Sequence, residues 1–155
     1  MADLTHLDDA GDARMVDVGD KPVTRRRAVA EAVVELSSEA ADALFGGSLP
    51  KGDALGVVRV AAVMGAKQTA NLVPLCHPIG LDHVAVEITR CDDGARIQVA
   101  CEVEARTGVE MEAMTGAAVG AVALYDMVKG IDRGAQIGPI RLLAKSGGRS
   151  GEWTR

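Results

Sequence analysis

The order of apolar and polar positions divides the chain into strand-like and helix-like stretches. From Arg25 to Leu36 the pattern has a period of two. Ala28, Ala30, Ala32, Val34 and Leu36 fall on one side, and Arg25, Arg27, Glu31 and Glu35 on the other. That alternation predicts a half-buried strand, although the alanine content makes a helix the rival reading. Ser37-Ser38-Glu39 then gives a fresh helix start, and the helix runs from about Glu39 to Phe45 before Gly46-Gly47 stops it. The loop GGSLPKGD carries Lys51 at its tip and ends on Asp53, which is placed to cap the next helix. Leu55, Val58, Ala62, Val63 and Ala66 recur at helical spacing, so this helix is predicted from about Ala54 to Asn71. LVPLCHP (Leu72 to Pro78) is a stiff connection with a proline on each side of Cys76-His77.

A hairpin follows, with strands at Leu81 to Thr89 and Ala95 to Ala105 around a Cys-Asp-Asp-Gly turn. After a long helix, Ile137 to Lys145 reads as the last strand, and Met15 to Val18 as a short edge strand or arm. The order strand, helix, helix, strand, strand, helix, strand predicts an α+β fold. A mainly antiparallel sheet of four strands would carry helices on one face, with oligomerisation the simplest cover for the other. Without repeats or a second boundary, residues 1–155 form one predicted domain, with about 1–14 and 146–155 flexible.

The long helix, Arg106 to Lys129, is predicted to open at Thr107-Gly108. Its middle is small and apolar nearly all round (Gly116, Ala117, Ala118, Gly120, Ala121, Ala123), which marks a buried helix open to close backbone approach. Charges gather at its ends: Glu110 and Glu112 at the start, Asp126 and Lys129 at the finish. Glu112 and Asp126 fall within roughly 40° on one face, and Lys129 about 60° beyond, yet the two carboxylates stand about 21 Å apart along the axis. One reading is that these charges only complement the helix dipole. The other is a catalytic pocket shared between subunits, each supplying one end; Lys51 and Asp126 then become candidates for supply by different copies.

Composition narrows the class. Hydrophobic residues make up 48% and charged residues 25% of the 155, ordinary for a globular protein. Only Phe45, Tyr125 and Trp153 are aromatic, so the core must be built from small aliphatic side chains that each bury little area. Such a chain gains by burying surface against copies of itself. A net charge of -5 with no basic stripe argues against nucleic acid. No apolar run is long enough to span a bilayer, and the acidic, polar start resembles no signal peptide. The three cysteines lack CxxC spacing and fit a reducing cytoplasm. His6, His77 and His83 show no metal-ligand spacing, and the SGGRSG tail lacks a P-loop pattern. Cys76 and His77 are adjacent, an arrangement that orients a thiolate and an imidazole poorly for proton transfer. Lys51 on a glycine loop, Lys67 on an apolar helix and Lys129 after Asp126, together with His77, point to an anionic, phosphorylated small molecule. Lysines crowded by other cations can have a lowered pKa and serve as acids or bases.

LTHLD, RMVDV, PKGD, AAVMGAKQT, LVPLCHP, TGVEMEAMT, LYDMVK and IRLLAKSGGRSG occur in this order. Together they closely resemble the cyclic pyranopterin monophosphate synthases, the molybdenum cofactor biosynthesis protein C family, over nearly the whole chain. Gln68, Gly116 and Arg149 depart mildly from the usual pattern. The resemblance implies a ferredoxin-like α+β domain in a homohexamer, a trimer of dimers with sites at the dimer interface. It implies conversion of 3',8-cyclo-7,8-dihydroguanosine 5'-triphosphate to cyclic pyranopterin monophosphate with release of pyrophosphate. No resident cofactor is implied, with Mg²⁺ able to travel with the triphosphate. Residue by residue, Asp126, Lys129 and Lys51 match catalytic positions. Leu75, Cys76, His77, Met111 and Glu112 match two substrate-contacting stretches, and Lys67 and Arg26 match basic positions for the triphosphate. From another class, a pterin- or nucleotide-binding oligomer that does not convert its ligand would share the same pocket, and a structural assembly protein would use the glycine- and alanine-rich helix for packing alone.

Overall fold

The computed structural model describes residues 10–149 and 151–155; the LTHLD stretch and most of the predicted flexible segment 1–14 lie outside them. The strands are β1 (Thr24–Glu35), β2 (His83–Cys91), β3 (Gly94–Ala105), β4 (Gln136–Ser146) and β5 (Trp153–Thr154). The helices are α1 (Ser38–Gly46), α2 (Ala54–Lys67), α3 (Thr69–Leu72) and α4 (Glu110–Val128). The sheet order is β2-β3-β1-β4-β5 with every pairing antiparallel. The first four strands in that order, with α4 crossing between β3 and β4, give the ferredoxin-like arrangement. A fifth strand was not predicted: part of the expected loose tail pairs with β4, Ala144 opposite Thr154 and Lys145 opposite Trp153.

The period-two pattern of β1 decides the sheet's two faces. Ala28, Ala30, Ala32 and Val34 face the helices, opposite Cys101, Val99, Ile97 and Ala95 of β3, and all of these are buried. The other face mixes charge with apolar side chains, Val29 and Val33 among them. Glu31, 5% exposed, sits between Arg96 (3.3 Å) and Arg141 (2.7 Å), and Glu102 pairs with Arg25 (2.6 Å) and Arg27 (3.3 Å). Two guanidiniums on one carboxylate satisfy its lone pairs, which allows Glu31 to be buried in mid-sheet.

Helices α2 and α4 pack backbone to backbone. A methyl group added at Gly65 would stand 2.7 Å from Cβ of Val119, and one at Gly116 would stand 3.0 Å from the Ala62 carbonyl. Small residues therefore set this spacing, as the run from Gly116 to Ala123 predicts. Two boundaries differ from the predicted ones. The helix after Asp53 breaks at Gln68, where φ is -99° and ψ is 5°, and resumes as the single turn α3. The long helix begins at Glu110 rather than Thr107, with Val109 as N-cap and no side-chain cap. Two glutamates occupy its first turn, where their charge complements the unpaired N–H groups.

Candidate functional site

The start of α4 lies beside the proline-flanked connection that follows α3, and a cavity of about 600 Å³ opens between them. Its walls include Leu75, Cys76 and His77 from the connection and Met111 and Glu112 from α4, so the two stretches predicted to touch substrate meet in one chain. The strand or arm expected at Met15 to Val18 is an irregular arm, and its Val16 and Val18 line the same cavity. His77 Nε2 donates to the Val16 carbonyl at 2.8 Å, which places a proton on Nε2 and leaves Nδ1 for other partners. The cavity's remaining charges are Lys21, Glu110 and Lys145, with Lys145 bonded to Glu110 at 3.0 Å.

Glu112 is the electrostatic oddity of this wall. It is 4% exposed and lines both this cavity and a second one of about 350 Å³ that includes Lys67, Thr69 and Asn71. Burial drives its carboxyl pKa up to about 7, against a hydrogen bond from its own backbone N–H that opposes the rise. Near neutrality Glu112 can therefore donate a proton as well as accept a hydrogen bond. Burial also raises the thiol pKa of Cys76, and that of Cys101 to about 12, with the Glu112 charge adding to both. A Cys76 thiol held protonated is a poor nucleophile.

At the other end of α4 lies a cluster centred on Asp126. Lys129 Nζ approaches Oδ1 at 2.7 Å, while Lys51 Nζ approaches Oδ2 at 2.8 Å and donates to the Asp126 backbone carbonyl at 2.6 Å. The glycine loop thus delivers Lys51 to the same carboxylate that Lys129 reaches from one turn away. The hydrogen bonds from Lys129 and Lys51 hold the Asp126 pKa down to about 2. Asp126 in turn raises the pKa of Lys129, contrary to the lowered lysine pKa expected from crowded cations. The opposite charge between the lysines outweighs their mutual repulsion. The three side chains are about half exposed, so the cluster faces outward.

Two predicted basic positions line cavities that adjoin the first one. Lys67 lines the second cavity, and Arg26 lines a third of about 430 Å³ with Lys21, Arg106 and Arg149. Arg26 is tied to the backbone carbonyls of Ala105 (3.0 Å) and Arg106 (3.2 Å). Sequence reasoning did not single out Lys21, Lys145 or Trp153, which also line the large cavity. The alternation of β4 gave no signal for Lys145: Leu142 pairs with Ala30, a register shift follows, and only that shift brings Lys145 opposite Ala28 on the helix-bearing face.

Within one chain, then, the candidate residues form two groups at opposite ends of α4. A family model described as the MoaC family matches residues 15–148. The chain belongs to the MoaC family. It is 50% identical over 155 residues to a protein of Chloroflexus aurantiacus named cyclic pyranopterin monophosphate synthase, covering 99% of this chain and 95% of that one. Proteins of the same name are similar in Corynebacterium efficiens (48% over 154 residues, 99% of each chain) and Roseiflexus castenholzii (51% over 154 residues, 98% of each). The matched MoaC segment includes every candidate residue but stops short of β5.

The Glu112 environment gives a stability prediction for this MoaC chain. A carboxyl whose folded pKa, about 7, lies above its ordinary value of 4.5 favours folding fully below 4.5 and loses that contribution as pH rises through 7. Glu112→Gln is expected to leave thermal stability unchanged near pH 4 and to raise it at pH 8 by about 1 to 2 kcal/mol. That figure allows for solvent reaching the carboxyl from both cavities. Equal melting temperatures of the two proteins at pH 8 would contradict it.

Proposed function

We propose that this chain is a cyclic pyranopterin monophosphate synthase. It takes 3',8-cyclo-7,8-dihydroguanosine 5'-triphosphate, rebuilds its ring system into a pyranopterin, closes a cyclic phosphate and releases pyrophosphate in molybdenum cofactor biosynthesis. The observation that carries this reading is full-length similarity, at about half identity, to proteins of that name. The two charged groups on α4 supply suitable chemistry.

A ribose hydroxyl oxygen of the substrate attacks the α-phosphorus, the bond between that phosphorus and its bridging oxygen to the β-phosphate breaks, and pyrophosphate departs. Nucleophile and phosphorus belong to one molecule, so the protein contributes mainly orientation. Lys67 and Arg26 hold the triphosphate and offset charge on the leaving group. Lys129, kept protonated by Asp126, delivers protons to ring nitrogens during the rearrangement, with Lys51 exchanging protons beside it. Leu75, Cys76, His77, Met111 and Glu112 grip the ring and ribose. No resident cofactor enters this scheme, and Mg²⁺ would arrive with the triphosphate.

The working unit of this reading is a homohexamer, a trimer of dimers with each site at a dimer interface. The two charged groups lie about 21 Å apart on one helix, too far for a single copy to close around one small molecule. Apolar side chains are available for contact: Val57, Val60 and Met64 of α2 and Val122 of α4 are exposed. No helix among the described residues is long and apolar enough to cross a membrane. The free thiols of Cys76, Cys91 and Cys101 support a cytoplasmic site of action.

Pyrophosphate release from the cyclic triphosphate by the purified chain tests the proposal directly. Release together with formation of cyclic pyranopterin monophosphate is expected. Tight binding without release would identify a carrier instead.

A further inference from the structure

We propose that Trp153 is a substrate-binding residue: its indole forms a stacking wall for the ring system of the ligand in the large cavity. This rests on the reading of the chain as a synthase acting on a planar, nitrogen-rich ring, and adds a contact beyond the family-matched segment, which ends at residue 148.

The placement of the ring is set by backbone pairing. Strand β5 adds to the outer side of β4, with Trp153 directly opposite Lys145. Lys145 in turn lies opposite Ala28, one of the β1 residues that face the helices, and its ammonium reaches Glu110 at the start of α4. Residues directly opposite in an antiparallel pair share a face, so Trp153 stands on the cavity side of the sheet. It lines the cavity with Leu75, Cys76, His77, Met111 and Glu112.

The indole is braced. The Arg155 guanidinium lies 5.9 Å from the ring centroid, and its Nε donates to the Leu142 carbonyl at 2.8 Å. The Arg155 backbone N–H donates to the Leu143 carbonyl at 2.9 Å. A cation over an aromatic face is attracted by the ring quadrupole. With both ends of Arg155 fixed to β4, the cation is held beside the ring.

The remaining exposure is informative. Trp153 is 40% exposed, so much of its apolar surface still meets water, and it lines the cavity. It is also the single tryptophan in a chain whose only other aromatics are Phe45 and Tyr125. Among the described residues the cavity wall otherwise offers aliphatic and sulfur-bearing side chains, a hydroxyl, an imidazole and charges. The indole is the one large π-surface available there, and a heteroaromatic ring is the ligand chemistry that gains most from it.

Being alone, Trp153 reports on itself. Its emission in the full chain is to be followed while the cyclic triphosphate is added, with calorimetry on the same samples as an independent measure of binding. Inorganic triphosphate, which has no ring, serves as the control. Saturable quenching by the cyclic triphosphate, and none by inorganic triphosphate, is expected. Trp153→Ala should raise KM on the order of tenfold, as loss of base–aromatic stacking does, with kcat within about twofold. Trp153→Phe should recover most of the affinity. Should Trp153→Ala fold poorly, Trp153→Leu keeps the apolar bulk without a ring and should show the same rise in KM. If calorimetry records binding while emission stays constant, or if KM is unchanged in the ringless variant, stacking is wrong and the synthase reading stands. If neither binding nor turnover of the cyclic triphosphate occurs, the synthase reading falls and this proposal with it.

Discussion

Asp126→Ala is expected to cut the rate of pyrophosphate release by about a thousandfold, within the range associated with losing acid–base function, while substrate still binds within a few-fold. The reason lies in the geometry around one carboxylate. Asp126 takes Lys129 at 2.7 Å and Lys51 at 2.8 Å, and without it neither ammonium has that anchor. Asp126 also raises the pKa of Lys129. Removing it lets that pKa fall, so the loss of kcat on the alkaline side should move to lower pH. A packing defect alone would not shift that limb. Asp126→Asn keeps the hydrogen-bonding shape without the charge and should fall between the two proteins. Turnover by Asp126→Ala within threefold of the parent, with an unchanged pH profile, would remove Asp126 from the machinery.

Mixing inactive variants should restore activity only for chosen pairs. Under subunit exchange, Lys51→Ala with His77→Ala is expected to recover about a quarter of parental turnover. In a symmetric two-fold dimer half of random pairs are mixed, and each carries one intact site of two. Lys51→Ala with Asp126→Ala should recover nothing. The sequence left open that Lys51 and Asp126 come from different copies; the structure places them on one chain in direct contact. Recovery by the second pair, or none by the first with exchange verified, would overturn the shared-site arrangement.

How much of this was legible without coordinates varied with the kind of signal. Where one face of an element is buried, its period shows in the residues, as in β1 and the β2–β3 hairpin, whereas α4 shows itself by a middle that is small and apolar nearly all round. The half-buried alternation of β1 survived its alanine content because Ala28, Ala30 and Ala32 pack on the helix side. Strand β5 was not legible. Two residues carry no period, and Gly147, Gly148 and Gly151, all at positive φ, resemble any loose tail. The break at Gln68 was equally hidden, since Lys67, Gln68 and Thr69 do not interrupt a helical pattern. For the site, helical spacing alone indicated that the ends of α4 are far apart. That Lys51 meets Asp126 depends on how a glycine loop folds back, which periodicity does not encode. Lys145 and Trp153 owe their places to register, a property of paired strands rather than of either one.

The glycine and alanine seam between α2 and α4 has a consequence for any assembly. Where long side chains meet, a helix can slide or tilt while rotamers absorb the error. At Gly65 and Gly116 there is no room even for an added Cβ, and no such slack exists. Helix α4 therefore acts as a ruler. In the proposed hexamer neighbouring copies would have to arrange themselves to its fixed length, and a methyl group inserted mid-seam would put both of its ends out of place at once.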